Sequence, residues 1–435
     1  MKQSWSEHVA EVFRLFLFIM SAIFSLFNIL ALLYIFRSVQ LGAVIWRRRD
    51  NLRQEPLTPE KKRLGDQAAF FIAVPLAVFL HEGAHALAIL AAGGQVVEFG
   101  YRVFWGYVVP AGAFTPVETW IIAMAGTLGS LGFGLALWLL LRHHPSSSLR
   151  YFGLRAFRFQ IYFSLIYYPV FTLLGFVGDW RTIYDFAATP VLSAVTAVLH
   201  VVLLLFFWQL ERRGYFEMPA HRTMEEQQAF EAVMRQAALG PDNEQLQLQY
   251  IDGLRRGGAQ NRARHALNQF IEQRPYSAEA YLQRAALQSQ GRSVSRQAAA
   301  SAQEALNLGL PRPQQAALAH ELVARQAVEA DRPADAANHL SEAIQALASP
   351  HANAGTTANA SALAHLYVLR SHAYRRQKLY ERAYQDLQQG LKFGEAAGDE
   401  TSAARHRQEM AILEQHAGRS FGEVTTREKE MTAAP

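Results

Sequence analysis

The sequence of 435 residues contains no cysteine. Disulfide bonds and thiolate ligands are therefore excluded, and a bound metal ion must be held by histidine, aspartate or glutamate. Charged residues make up only 18% of the chain, and the net charge is a modest +5. The basic residues of the first half lie beside apolar segments, which is the pattern of membrane topology and not of nucleic-acid binding.

The mean hydropathy of −0.01 hides two halves of opposite character. Residues 1–210 are strongly apolar and aromatic, whereas the chain from residue 223 onward is rich in Ala, Gln, Arg and Glu. No small-residue cleavage site follows the first apolar run, so we do not expect a cleavable signal peptide. We expect a membrane-embedded domain at 1–222, a soluble domain at 223–418 and a charged, disordered tail at 419–435.

Five apolar segments have about the 20 residues that a membrane-spanning helix requires. Basic residues cluster after the first, third and fifth segments. By the positive-inside rule these flanks are cytoplasmic, which places the N-terminus outside and the soluble domain in the cytoplasm. We therefore expect an integral protein of a prokaryotic plasma membrane, with spans at about 15–36, 67–92, 119–141, 159–178 and 190–210.

The second span contains His81, Glu82 and His85 in the pattern H-E-x-x-H. Residues four apart lie on one face of a helix, so the two imidazoles can bind one Zn²⁺ ion. The glutamate between them can then act as general base towards the attacking water. Ionisable side chains within a membrane span are rare and usually functional. The alternative is a pair of histidines that only hydrogen-bond neighbouring helices.

A catalytic zinc ion usually takes three protein ligands, so a third should lie at similar depth. Asp179 lies about as far beyond the basic residue Arg158 as His81 lies beyond Arg63, and both segments leave the cytoplasmic side in the same direction. This geometry favours Asp179 as the third ligand. The alternative is an interfacial aspartate paired with Arg181. Weaker candidates for the third ligand are Asp185, His200 and Glu118.

The segment 95–117 alternates Val, Phe and Tyr with Gly and Pro and is not a clean helix. We expect either a short β-hairpin or re-entrant element beside the metal site, or a simple interfacial loop. A strand edge at this place can pair with an unwound substrate. The third span is rich in small residues at spacings that allow close helix packing in lipid, namely Gly126, Gly129, Ser130, Gly132 and Gly134.

The second half contains four stretches that each have the pattern of two short amphipathic helices. Their spacing is near the ~34 residues of a helical repeat, and they loosely resemble tetratricopeptide repeats. Such arrays form concave surfaces that bind peptides or proteins. The alternative is a helical bundle without a binding role. The four stretches are 243–275, 278–311, 316–348 and 362–394.

The run from His81 to Ala88, followed by Gly93-Gly94, resembles the opening of the site-2 protease family of intramembrane zinc metalloproteases. The resemblance covers about residues 67–185. It implies that an aspartate on a later membrane helix completes the zinc site, and that the helix around Ala125-Gly126 is the family's small-residue helix. The chain departs from the family at Tyr168-Pro169, where the family often has Asn and Pro, and no PDZ-type domain is inserted.

The predicted fold is all-α, with a polytopic membrane helix bundle followed by a soluble helical repeat domain. The predicted function is that of a zinc metalloendopeptidase, with Glu82 as catalytic base and His81, His85 and Asp179 as zinc ligands. The expected substrates are membrane-anchored proteins, which the resemblance implies are regulatory, such as tethered transcription regulators. The expected partners are the lipid bilayer and a protein or peptide on the repeats, but no nucleic acid. The competing hypothesis is a catalytically silent, membrane-anchored scaffold.

Overall fold

The computed structural model describes residues 29–103, 105–175, 178–290, 293–349, 357–418 and residue 421. The described chain is mostly helical, as predicted. It divides into two compact units, the first formed by 1–235 with 256–261 and the second by 236–255 with 262–435. The predicted boundary at residue 222 lies just before α10 (Met224–Leu239), a helix that begins in the first unit and ends in the second.

Long helices dominate the first unit. A π-helix, Ala69–Ala73, joins α3 to α4, and a second π-helix, Phe163–Tyr167, joins α6 to α7, so each pair is continuous. The elements in chain order are α1 (Ile29–Arg47), α2 (Arg49–Arg53), α3 (Pro59–Ala68), α4 (Val74–Ala91), β1 (Gln95–Tyr101), β2 (Gly106–Ala111), α5 (Pro116–Leu141), α6 (Ser147–Tyr162), α7 (Tyr168–Leu173), α8 (Asp179–Ile183) and α9 (Pro190–Arg212).

Four helices of the described part are long and apolar enough to cross a membrane, judged by length and composition. They correspond to the first, second, third and fifth predicted spans. The first runs on to Arg47 instead of ending at residue 36, and residues 15–28 of that prediction lie outside the described residues. The fourth predicted span, 159–178, coincides with the end of α6 and with α7. Polar residues at the end of α6, such as Arg158 and Gln160, lower the mean hydropathy there. Residues 176–177 of this span are not described.

The π-helix Ala69–Ala73 precedes Pro75, which has no N–H to donate to the carbonyl of Phe71 four residues earlier. The Ser38 hydroxyl of α1 lies 2.7 Å from this carbonyl oxygen and donates to it, sharing its proton with the Tyr34 carbonyl at 2.8 Å. In an apolar environment such a carbonyl must find its partner within the protein. The bond therefore compensates for the proline and attaches α1 to the bundle.

The same solution occurs at the second π-helix. Pro169 cannot donate to the carbonyl of Leu165, and His200 Nε2 of α9 donates to it instead at 2.7 Å. The remaining lone pair of the imidazole, on Nδ1, accepts from the Tyr184 hydroxyl. Both ring nitrogens of His200 are thus used in helix–helix contacts, and α9 is attached to α6–α7.

Residues 95–111 form an antiparallel β-hairpin, which is the first of the alternatives predicted for this segment. The register pairs Gln95 with Ala111 and Tyr101 with Gly106, with one irregularity along β1. The Tyr101 hydroxyl donates to the Pro75 carbonyl at 3.0 Å, and its ring meets Phe79 edge-on at 5.6 Å. The hairpin is therefore held against α4.

Four helix pairs and a ninth helix follow in the described part of the second unit, and each of the four predicted stretches corresponds to one pair. A small unpredicted hairpin of β3 (Ser289–Gln290) and β4 (Ser293–Val294) lies within the second pair. Buried alanines line much of the contact surface between the helices. The helices are α11 (Glu244–Arg256), α12 (Gln260–Gln273), α13 (Ala278–Gln288), α14 (Arg296–Leu308), α15 (Pro313–Glu329), α16 (Pro333–Ala348), α17 (Thr357–Arg376), α18 (Tyr380–Ala396) and α19 (Glu400–Ala417).

The predicted disordered tail, 419–435, lies outside the described residues except for Phe421. This side chain is buried and packs on Tyr384 with the ring centroids 5.1 Å apart. A contact of the second unit therefore involves the third residue of the segment that composition assigned to the tail.

A buried ion pair connects α17 to α18. Arg370 binds the Asp386 carboxylate through two nitrogens, at 2.8 Å and 2.7 Å, and the side chains are only 17% and 7% exposed. Burial raises the pKa of Asp386, and the neighbouring guanidinium counteracts that rise. The pair is therefore costly to bury and more costly to break, because removal of one partner leaves the other charge uncompensated.

We expect Asp386→Ala to lower the free energy of unfolding of the second unit by about 3–5 kcal/mol. Asp335→Ala is the matched control, since its pair with Arg332 is 52–56% exposed, and it should change stability by no more than about 0.5 kcal/mol. Urea denaturation of the full chain in detergent, followed by circular dichroism, measures both. Equally small effects would show that the Arg370–Asp386 pair is not buried in solution.

Candidate metal centre

Helix α4 places His81 and His85 on one face, with their ring centroids 4.7 Å apart and the rings nearly perpendicular. Asp179 is the first residue of α8, and its Oδ2 lies 3.0 Å from His81 Nε2 and 3.1 Å from His85 Nε2. One ligand atom from each of the three side chains lies within 4.8 Å of the others. The three residues that the sequence nominated as metal ligands are therefore together in space.

The other nitrogen of each imidazole bonds to α5. His85 Nδ1 lies 2.7 Å from the Ile122 carbonyl, which only accepts, so Nδ1 carries the proton. His81 Nδ1 lies 3.0 Å from Ser130 Oγ, whose own proton is donated to the Gly126 carbonyl at 3.3 Å. His81 Nδ1 is therefore also the donor. Bonds of this kind fix the tautomer and orientation of metal-ligating histidines.

With Nδ1 protonated on both rings, each imidazole in its neutral form presents the lone pair of Nε2 to the Asp179 carboxylate. Asp179 Oδ2 lies 3.0 Å and 3.1 Å from these two nitrogens, and lone-pair-bearing atoms at such distances repel one another unless a proton or a metal ion lies between them. Ligands of a tetrahedral zinc ion, bound at about 2.0–2.1 Å, lie about 3.3 Å apart. The donor set of two histidines and one carboxylate is also one that catalytic zinc uses. The residues present therefore fit the metal ion that the sequence predicts.

Tyr168 fixes the carboxylate. Its hydroxyl donates to Asp179 Oδ2 at 3.0 Å and accepts from the Asp179 backbone N–H at 3.0 Å. The preceding residue, Gly178, has no room for a side chain, because a Cβ there would lie 2.8 Å from Tyr168 Cε2. The aspartate is thus held by a hydrogen-bonded tyrosine, as ligating carboxylates commonly are.

Gly126 of α5 leaves the space that a metal ion needs. A Cβ at this position would lie 2.3 Å from His85 Nε2 and 2.6 Å from His81 Nε2. One turn further, a Cβ at Gly129 would lie 2.7 Å from the Ala84 side chain. The small-residue pattern therefore does bring α5 close to α4, as predicted, and at Gly126 it also keeps the space between the ligands open.

Glu82 is buried and lies against the β-hairpin. A Cβ at Gly106 of β2 would lie 2.4 Å from Glu82 Cγ and 2.8 Å from its Oε1. Glu82 and His81 line a cavity of about 900 Å³ bounded by α1, α4, the hairpin and α6–α7. Most of its wall is apolar and includes Leu33, Phe70, Val78, Phe163 and Phe171. The candidate base thus opens onto a cavity that could hold an apolar peptide segment.

The weaker candidates for the third ligand are engaged elsewhere. Asp185 Oδ1 accepts from the backbone N–H groups of two following residues, both at 3.0 Å. Glu118 Oε2 accepts from the Thr115 N–H at 2.8 Å in the capping box of α5. His200 bonds α9 to the second π-helix, as described above. The Asp179 carboxylate lies against the histidines and not against Arg181, which was the alternative for this residue.

Sequence reasoning did not find the supporting residues. Ser130 was interpreted only as a packing residue, and Tyr168 only as a departure from a family pattern. The Ile122 carbonyl and Gly106 carry no motif at all. Their contacts to the ligands and to Glu82 depend on the packing of helices far apart in the chain, which spacing does not reveal.

No family model matches the sequence, and no curated protein matches it. Among solved structures, a chain from the crystal structure of the APC/C hetero-tetramer Cut9-Hcn1 is similar, with 13% sequence identity and a TM-score of 0.35. The alignment covers 82% of this chain and 66% of that one, slightly less than two thirds of its length. A likeness of this strength supports no conclusion about fold or function.

We expect Gly126→Ala to abolish metal binding, because the added methyl group would lie within 2.6 Å of both ligand nitrogens. The loss of zinc affinity should exceed the roughly 100-fold that an altered supporting residue can cause. Gly132→Ala is the matched control on the same helix, since nothing lies within 4 Å of its added Cβ. Metal analysis of the detergent-purified chain measures both. Full zinc content in Gly126→Ala would contradict this geometry.

We expect Tyr168→Phe to weaken zinc binding by about 10–100-fold, because the Asp179 carboxylate loses its fixed donor. Tyr167→Phe is the control, since Tyr167 lies next in the chain and lines the same cavity without bonding to Asp179. Competition with a zinc chelator gives both affinities. The expectation is wrong if the two variants retain zinc equally well.

Proposed function

We propose that the chain is an intramembrane zinc metalloprotease of the site-2 protease type. The observation that carries the proposal is the convergence of His81, His85 and Asp179, with Glu82 beside them at an apolar cavity. A structural metal site alone does not call for a buried glutamate next to the ligands at the wall of such a cavity. A catalytic site does, because the base must reach a water molecule and the peptide together.

In this proposal His81, His85 and Asp179 hold the ion. Bound zinc supplies a Lewis acid that polarises the scissile carbonyl and makes water acidic. Glu82 takes the proton from the attacking water and later delivers it to the leaving amine. Ser130 and the Ile122 carbonyl keep the Nε2 lone pairs of the histidines available. Tyr168 keeps the Asp179 carboxylate in place.

The membrane location is supported by the four long apolar helices of the described part, whose apolar side chains are largely exposed. We infer a fifth span from α6, the second π-helix and α7, because α6, which carries the polar residues of this segment, packs inside the bundle and the residues of α7 are mostly apolar and largely exposed. A helix covered by other helices can carry polar residues that a lipid-facing helix cannot. Five spans place the N-terminus outside and the helix pairs of the second unit in the cytoplasm.

The substrate class follows from the cavity and from the resemblance. An apolar cavity within the membrane accepts an apolar segment, so the substrates are membrane-anchored proteins, and the resemblance favours regulatory ones. Because a helix hides its peptide bonds, the segment must unwind, and the edge of the β-hairpin beside Glu82 can pair with the extended strand. We assign recruitment of the substrate or of a regulator to the helix pairs at 244–396.

The decisive experiment compares Glu82→Gln with the unmodified chain. Purified protein should contain about one zinc ion per chain, and it should cleave a reporter membrane-anchored protein. Glu82→Gln should keep the ion, because Glu82 is not a ligand, and should lose cleavage by at least about 1000-fold. His85→Ala should lose both. Zinc content and the appearance of the cleaved reporter are measured on the same preparations.

The rival function is a membrane-anchored scaffold whose helix pairs bind other proteins. It makes the opposite prediction for the same variants. If the unmodified chain takes up no zinc, or if every membrane function survives Glu82→Gln, the protease proposal is wrong and the scaffold is favoured.

A further inference from the structure

A buried glutamine lies in the wall of the same cavity without an evident structural role for its amide nitrogen. Gln160 of α6 is only 1% exposed and lines the cavity together with His81 and Glu82. Its Nε2 has no hydrogen-bond partner in the part of the chain that the structure describes. Buried amide groups are nearly always hydrogen-bonded. The nitrogen itself has almost no accessible surface, so rotation of the Gln160 amide is needed to present its unpaired N–H donor to a group in the cavity.

The position of Gln160 relative to the candidate metal centre can be measured along α5. Gly126 faces the ligand nitrogens, Ser130 bonds to His81, and a Cβ at Gly134 would lie 2.8 Å from Gln160 Cγ. These three residues lie at intervals of four on one face of the helix. Gln160 is therefore about two turns, or about 12 Å, from the level of the ligands.

That distance corresponds to a short length of peptide. An extended strand rises about 3.3 Å per residue, so about 12 Å is three or four residues. A transmembrane segment unwound for cleavage exposes carbonyl groups that have no water to bond to at this depth. A glutamine N–H is a suitable donor for such a carbonyl, and it can bind the peptide backbone whatever side chain that residue carries.

We propose that Gln160 is a substrate-binding residue that donates a hydrogen bond to a backbone carbonyl three or four residues from the scissile bond. The proposal rests on the proposed function, since it needs a peptide in the cavity. It gives the enzyme a second polar anchor, separated from the metal centre. The substrate is then fixed at two places and lies extended between them.

The test uses the zinc-loaded full chain in detergent and a series of oligoleucine peptides, one to five residues long, each ending in a zinc-binding hydroxamate. Affinity should rise gradually with length from apolar burial, with an additional step of about 10-fold where the third or fourth carbonyl is added. Gln160→Met, which keeps the length of the side chain but not the donor, should lose only this step. Its zinc content and its affinity for the one-residue hydroxamate should be unchanged, which also shows that it folds.

A second measurement does not depend on a variant. Replacing the amide that carries the third or fourth carbonyl by an ester weakens the acceptor, so it should lower the affinity for the unmodified chain by about 10-fold. The same replacement should have little effect on Gln160→Met, because the two changes remove one interaction. An ester at the second position is the control.

The outcomes separate the two proposals. If the one-residue hydroxamate does not bind the unmodified chain, the metal centre is wrong and the role of Gln160 is overturned with it. If it binds, but affinity depends on length and ester position identically in the unmodified chain and in Gln160→Met, only the role of Gln160 is overturned. A bound water molecule then satisfies the amide.

Discussion

The candidate site depends on one electrostatic constraint: Asp179 Oδ2 and the Nε2 atoms of two histidines meet in a buried place, and the proposed metal ion would relieve their repulsion. The constraint arises from the hydrogen bonds that the Nδ1 atom of each imidazole makes with α5. Because Ile122 and Ser130 take the Nδ1 protons, the Nε2 lone pairs of His81 and His85 are turned to Asp179. A histidine pair without those partners could donate to the carboxylate and form an ordinary polar contact between helices. The contacts to α5 thus favour the metal-binding interpretation of the motif over simple hydrogen bonding between helices.

Proline-induced irregularity in two helices positions this arrangement. Pro75 and Pro169 each follow a π-helix, and both π-helices supply walls of the cavity. Irregular helix backbone in an apolar surrounding requires replacement hydrogen bonds, and Ser38 and His200 provide them from α1 and α9. Helices α1 and α9 are thereby attached at the two π-helices, where α3–α4 and α6–α7 deviate from regular α-helical geometry. π-Bulges are frequent at functional sites because they redirect side chains without ending the helix.

The sequence alone predicted the parts of the site that depend on local spacing and on the distance along the chain from the basic flanks. The motif on α4 needs only the helical period, and the position of Asp179 followed from counting residues from the basic flanks. Tyr168 was not predicted, because its bond to Asp179 depends on the way the chain turns between α7 and α8. The predicted span at 159–178 agrees least well with the described helices, again because packing between helices decides its character. Hydropathy indicates which helices suit a lipid environment, but α6 packs against protein, so Gln160 can lie there buried.

Hydrolysis within an apolar bundle requires water, a base and an extended peptide in a place that otherwise excludes all three. For the proposed function, the relevant polar groups come from three helices that line one cavity: His81 and Glu82 on α4, Ser130 on α5 and Gln160 on α6. Glu82 lies under the hairpin, where only a glycine at position 106 leaves it room, and Gln160 lies about two helical turns from the ligands along α5. The remaining wall is largely apolar and suits the side chains of a membrane segment. In the proposed protease, a peptide in this cavity would bury its side chains against the apolar lining and bond its backbone to the polar groups, which is the combination of contacts that cleavage of a membrane-embedded strand requires.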